Sequence, residues 1–114
     1  MIRQLSPTEL DAIDLVPQAV IARPVSHFAQ TLGLELRHGS DDFDSFEDVA
    51  LAASGAVKFS LRHYSGHPEG TATVYLPRSW RDVAEITMAV ERILRELEVP
   101  ADALIWQRRD NPDL

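Results

Sequence analysis

Apolar and polar residues alternate most regularly between positions 56 and 77. Val57, Phe59 and Leu61 recur at every second position, with Lys58, Ser60 and Arg62 between them. Ala72, Val74 and Leu76 do the same against Thr73 and Tyr75. Side chains alternate between the two faces of a strand, so each run has one apolar face and one polar face. The connecting SGHPEG carries two glycines and a proline, which predicts a turn and makes the whole stretch a β-hairpin.

Elsewhere the spacing changes to three and four. Val25, Phe28, Ala29 and Leu32 predict a short helix, and Gly33 stands where a left-handed C-terminal cap belongs. Val83, Ile86, Val90, Ile93, Leu94 and Leu97 form one continuous apolar stripe, which predicts a helix over 79–97. Ser79 and Asp82 resemble a capping box at its start. A further helix is predicted from Ser6-Pro7-Thr8-Glu9: Ser6 can cap, Pro7 suits the first helical position and Glu9 can reach back. Leu10, Ile13 and Val16 would be its stripe and Pro17 its end. Positions 18–22 fit either helix or extended chain. Strands are predicted at 34–37, 49–53 and 103–106, with Ser54-Gly55 as a tight turn. The segment GSDDFDSFED between the first two strands reads as a polar, acidic loop.

The resulting order is α-α-β-β-β-β-α-β. It predicts one α+β domain over 1–114, in two layers. A mostly antiparallel sheet of four to five strands would have its helices packed on one face.

A length of 114 residues fits a single domain, and 45% hydrophobic with 25% charged residues matches an ordinary globular chain. No apolar run has the length a bilayer span needs. Acidic residues near the N-terminus argue against a signal peptide. With no cysteine in the chain, the expected location is the cytoplasm. Eleven basic against 18 acidic residues give a net charge of −7. Such a chain repels phosphate backbones, so neither nucleic acid nor membrane is expected as a partner, whereas a basic protein is.

Four groups of residues carry candidate chemistry. His63 and His67, with Glu69 nearby, have the residue types of a zinc site. They belong to a strand end and a turn instead of one helical face, so neither a metal nor a cofactor is expected. The acidic loop fails as an EF-hand, because the sixth place counted from Asp42 is Glu47 where glycine is needed. Its Asp41, Asp42 and Asp44 would instead steer a basic partner, with Phe43 as the anchor. On the polar face of the hairpin, Arg62, Tyr64 and Tyr75 are residue types favoured at binding hot spots. Finally, Arg78 and Arg81 flank a helix start that would attract an anion, without the glycine-rich loop of a phosphate cradle; Trp80 is assigned to packing at the helix entrance. Neither a nucleophile elbow nor a dinucleotide fingerprint is present, and no catalytic residue is assigned.

These features predict a non-enzymatic domain that binds a basic protein through Asp41, Asp42, Phe43, Asp44, Arg62, Tyr64 and Tyr75. In size and acidity the chain is similar in outline to bacterial immunity proteins and antitoxins, a resemblance that implies a basic partner to be blocked. A regulatory accessory protein would share the pattern. The alternative is a small-ligand-binding or metal-dependent enzyme built on the His63 and His67 hairpin region. Self-association into a homo-oligomer, through a sheet edge or the Trp106 strand, stays open.

Overall fold

Seven strands, each antiparallel to its neighbours, form one open sheet in the computed structural model, which describes residues 2–40 and 44–108. The strands are β1 (Arg3–Gln4), β2 (Leu15–Ile21), β3 (Arg37–Ser40), β4 (Ser45–Ala53), β5 (Val57–Tyr64), β6 (Ala72–Pro77) and β7 (Leu104–Gln107). Two helices, α1 (Val25–Leu32) and α2 (Val83–Glu96), complete the fold. Across the sheet the order is β1-β4-β5-β6-β2-β7, with β3 also on β4. The long β4 carries β3 along its first half and β1 along its second.

This architecture overturns the expected four- to five-stranded sheet and its α-α-β-β-β-β-α-β order in two places. The first predicted helix is only a 3-10 turn, Pro7–Leu10. Its capping box does form, with Glu9 Oε2 accepting from the Ser6 backbone N–H at 2.9 Å. The chain then extends as β2, whose Val16, Val20 and Ile21 are β-branched and favour a pleated surface. This strand, extended through positions 18–21 that fitted either state and back to Leu15 where helix was expected, enters the sheet between β6 and β7, so the last strand pairs antiparallel with it. Pro17 is tolerated because the register slips between Pro17 and Ala19, and because β7 reaches only Ala19, Val20 and Ile21.

The second correction concerns the segment read as an acidic loop. It is a hairpin, in which Arg37 through Ser40 pair with Asp48 through Ser45. The adjacent carboxylates Glu47 and Asp48 both lie on β4, and arginines on both sides neutralise Asp48, the one that is buried.

The core follows the alternation of the central strands. Val49 and Leu51 on β4, Phe59 and Leu61 on β5, and Val74 and Leu76 on β6 are almost wholly buried. They meet Val25 and Phe28 of α1 and Val90 and Ile93 of α2 on one face of the sheet. Gly33 ends α1 at φ 66°, a backbone conformation in which glycine is under no Cβ strain. The cap of α2 is Asp82, whose side chain accepts from the Glu85 backbone N–H at 3.1 Å, so the helix starts later than Ser79. Among the described residues the opposite face carries a smaller cluster, Leu5 and Leu10 over Ala50 and Ala52. Neither helix packs on this open face, although Asp48, Ser60 and Thr73 on it are buried.

Candidate functional site

The open face is polar because β4 and β5 keep strict alternation. With Val49 and Leu51 turned to the helices, Phe46, Asp48 and Ala50 point the other way, as do Ser60, Arg62 and Tyr64 of β5. Register then sets Asp48 opposite Arg37 of β3 on one side and opposite Arg62 of β5 on the other. Directly opposed residues are the closest contacts in a sheet.

Both arginines close on that carboxylate. Arg37 donates Nε to Asp48 Oδ1 at 2.9 Å and Nη2 to Oδ2 at 2.8 Å. Arg62 donates Nε and Nη2 to Oδ2 at 3.2 and 2.9 Å. The Asp48 side chain is only 4% exposed, and an unpaired carboxylate so enclosed would be strongly destabilising. Arg37 also donates Nη1 to Asp11 Oδ1 at 2.8 Å, which ties the segment before β2 to the sheet. The bond to Asp48, opposed by burial and reinforced by Asp11, holds the Arg37 guanidinium well above its ordinary pKa and therefore fixed as a cation.

Arg62 is held on its remaining sides by aromatic groups. Its Nη1 donates to the Tyr64 hydroxyl at 3.1 Å. Its Cζ lies 4.4 Å from the centre of the Phe46 ring, 5.8 Å from Tyr64 and 5.7 Å from Tyr75. Phe46 reaches this place across Gly39, where an added Cβ would come within 2.8 Å of the ring. The glycine is needed here for close approach, not for its backbone freedom.

Above this floor opens a cleft of about 500 Å³. One wall is Leu10, Asp11, Ile13 and Asp14; the other is formed by Phe46, Tyr64 and Tyr75. Asp14 is 84% exposed, and its nearest basic group, Arg78 Nε, is 3.8 Å away. Asp11 and Asp48 thus engage Arg37, Asp48 also engages Arg62, and Asp14 is paired at longer range with Arg78. The arrangement presents π faces and a solvent-facing carboxylate, a combination that attracts a cation.

Of the residues singled out in the sequence, Arg62, Tyr64 and Tyr75 are brought together here. Asp41, Asp42 and Phe43 lie outside the described residues. Asp44 does not reach the cleft wall. Its carboxylate accepts from Ser65 Oγ, from the Gly66 N–H at 2.8 Å and from the Ser45 N–H at 2.9 Å, linking the β3–β4 turn to the β5–β6 loop. These bonds, the one from Ser65 foremost, hold its pKa below the usual carboxylate value. Phe46, Asp48 and Arg37 were missed as site residues. Residues 49–53 are all apolar, so no alternation there marks a face, and only the β4–β5 register sets Phe46 and Asp48 on the face of Arg62.

The His63 and His67 rings stack edge to face with centroids 6.3 Å apart, and His63 Nε2 is 3.1 Å from the Pro68 carbonyl oxygen. Among the described residues, no group of three His, Asp or Glu side chains is placed to hold a metal ion. No described helix is long and apolar enough to cross a membrane. Arg78, Trp80 and Arg81 lie at a second cleft, on the helix-covered side where α2 begins. Comparisons with protein-family models, with curated proteins and with solved structures give no match.

Proposed function

We propose that the protein is a non-enzymatic binding domain whose open-face cleft receives an arginine or lysine side chain of a basic protein partner. The observation that carries this reading is the pairing of the Tyr64 and Tyr75 rings with the exposed Asp14 carboxylate across a cleft whose own cations are already engaged. A cation entering there stacks on the rings and competes with the exposed Arg78 for Asp14, without displacing Arg37 or Arg62 from Asp48. The net charge of −7 adds long-range attraction for the same partner. Arg62 acts as the support of the aromatic wall, because its side chain is only 15% exposed. A blocking role of the immunity-protein kind fits the size and charge, as does regulation of a basic enzyme.

The test begins with capture from native lysate on the wild-type chain and on a Tyr75→Ala, Asp14→Lys double variant, with thermal melts in parallel. The captured protein is then measured by surface plasmon resonance at low and high salt. We expect the double variant to lose the partner while keeping its fold, and the wild-type on-rate to fall as salt rises. A partner retained equally by both chains would reject this cleft as the docking site.

A further inference from the structure

A second cleft, of about 300 Å³, opens on the helix-covered side of the sheet, between β2 and the start of α2. Val16, Val83 and Ile86 line it together with Trp80, while Arg78 and Arg81 stand among its lining residues. Both arginines are exposed, and among the described residues Arg81 makes no ion pair. An apolar pocket with a few convergent polar groups is the usual form of a small-molecule site.

The distinctive residue is Gln18. It sits in the β2 irregularity, where the register passes directly from Pro17↔Tyr75 to Ala19↔Val74 and leaves Gln18 without a cross-strand partner on β6. An extra residue of this kind re-aims a side chain, and such bulges concentrate beside functional sites. Here the result is a primary amide among the cleft-lining residues, only 3% exposed. Its Oε1 is buried and has no hydrogen-bond partner. A buried acceptor left unsatisfied is destabilising, so its retention calls for an explanation.

We propose that this cleft binds a small aromatic carboxylate that carries an O–H or N–H group at the end remote from the carboxylate. The remote donor hydrogen-bonds to Gln18 Oε1, which is fully buried and turns into the cleft by rotation of the Gln18 side chain as the ligand enters. The ring lies against Trp80, Val16 and Ile86, and the carboxylate pairs with Arg81 and Arg78, whose planar guanidiniums match it in shape. A phosphate is a poorer fit at the same place. The Asp82 carboxylate already caps α2, accepting from the Glu85 N–H, and would repel a dianion. The site lies on the helix-covered side; its Arg78 also pairs with Asp14 of the open-face cleft at 3.8 Å, whereas Gln18, Trp80 and Arg81 have no part in the docking proposal.

Three probes separate the parts of the proposal: 4-hydroxyphenylacetate, phenylacetate and tyramine. Binding is followed by NMR on the intact chain, at the Gln18 side-chain amide and the Trp80 indole N–H. We expect 4-hydroxyphenylacetate to shift both signals, phenylacetate to bind at least tenfold more weakly, and tyramine, which lacks the anion, to leave them unmoved. Arg81→Gln should weaken 4-hydroxyphenylacetate about tenfold. Gln18→Met should erase its advantage over phenylacetate, with a melt to verify folding. The three wild-type titrations decide the matter even if that variant fails to fold. Equal binding of the two carboxylates, shifts produced by tyramine alone, or no shift at millimolar probe would overturn the proposal. With phenyl phosphate as a fourth probe, tighter binding than that of 4-hydroxyphenylacetate would overturn the carboxylate assignment.

Discussion

Phe59 and Arg62 lie on the same strand, β5, on opposite faces, and both are enclosed, by different means. Phe59 is fully buried beneath the helices, surrounded by side chains such as Leu61, Val74 and Val90 that require only the removal of water. Arg62 is enclosed by a carboxylate, a hydroxyl and three aromatic rings, each at a defined angle and distance. The helix-covered face tolerates exchange among apolar residues of similar volume. The open face does not, because removing one member leaves the opposite charge without its partner. Stability on one side is therefore spread over many contacts, and on the other it is concentrated in Asp48.

The largest effect expected from this contrast is at Phe59. Phe59→Ala should lower unfolding stability by about 3–5 kcal/mol, read from urea melts, because the neighbouring helices cannot close the cavity fully. A loss below about 1 kcal/mol would mean that the helices collapse onto the sheet more freely than close packing allows.

Next is Asp48. Asp48→Ala should cost about 3 kcal/mol, since it leaves Arg62 without an anion and Arg37 with Asp11 alone. Replacing all three groups, as Arg37→Met, Asp48→Leu and Arg62→Met together, should recover most of that loss in the same melts. If the triple variant is as unstable as the single one, the network contributes more than mutual neutralisation, and the contrast between the faces is sharper than drawn here.

The smallest effect belongs to Asp44, which is exposed and ties two loops together. Its pKa is lowered in the folded state, so its contribution is complete above the unfolded value near 4 and disappears as pH falls through the lower folded value. An NMR titration of the Asp44 carboxyl should show a midpoint below the ordinary range, and Ser65→Ala should move it back towards that range. An unchanged midpoint in the variant would assign the shift to the backbone N–H groups of Gly66 and Ser45 instead.

The two faces also differ in how readily they could be read before the structure. The core-facing set Val57, Phe59, Leu61, Val74 and Leu76 follows directly from period two, and the bounds of α1 from the spacing of Val25 and Phe28 with Gly33 behind them. The first sixteen residues misled because the capping box of Ser6 and Glu9 is a genuine local signal that forms here on a single turn. It starts helical geometry without the apolar face needed to continue it, and β2 gains more from its place between β6 and β7. The acidic segment misled for the opposite reason. Asp48 is polar, and a polar residue counts towards a loop unless the cations that will surround it are known.

What the sequence determined by itself is whatever depends on neighbours a few positions away: strand parity, helix periodicity, the Gly33 cap and the acidic balance of the chain. These arise from backbone geometry and side-chain spacing, which are the same before and after folding. Tertiary structure alone decided that Arg37, Asp48 and Arg62 meet, that Phe46 lies across Gly39, and that a slip in β2 accompanies a buried amide oxygen without a partner. Each of those depends on which strands become adjacent and in what register. Charge neutralisation and close packing act through space between residues that the chain separates by many positions, so no local pattern records them.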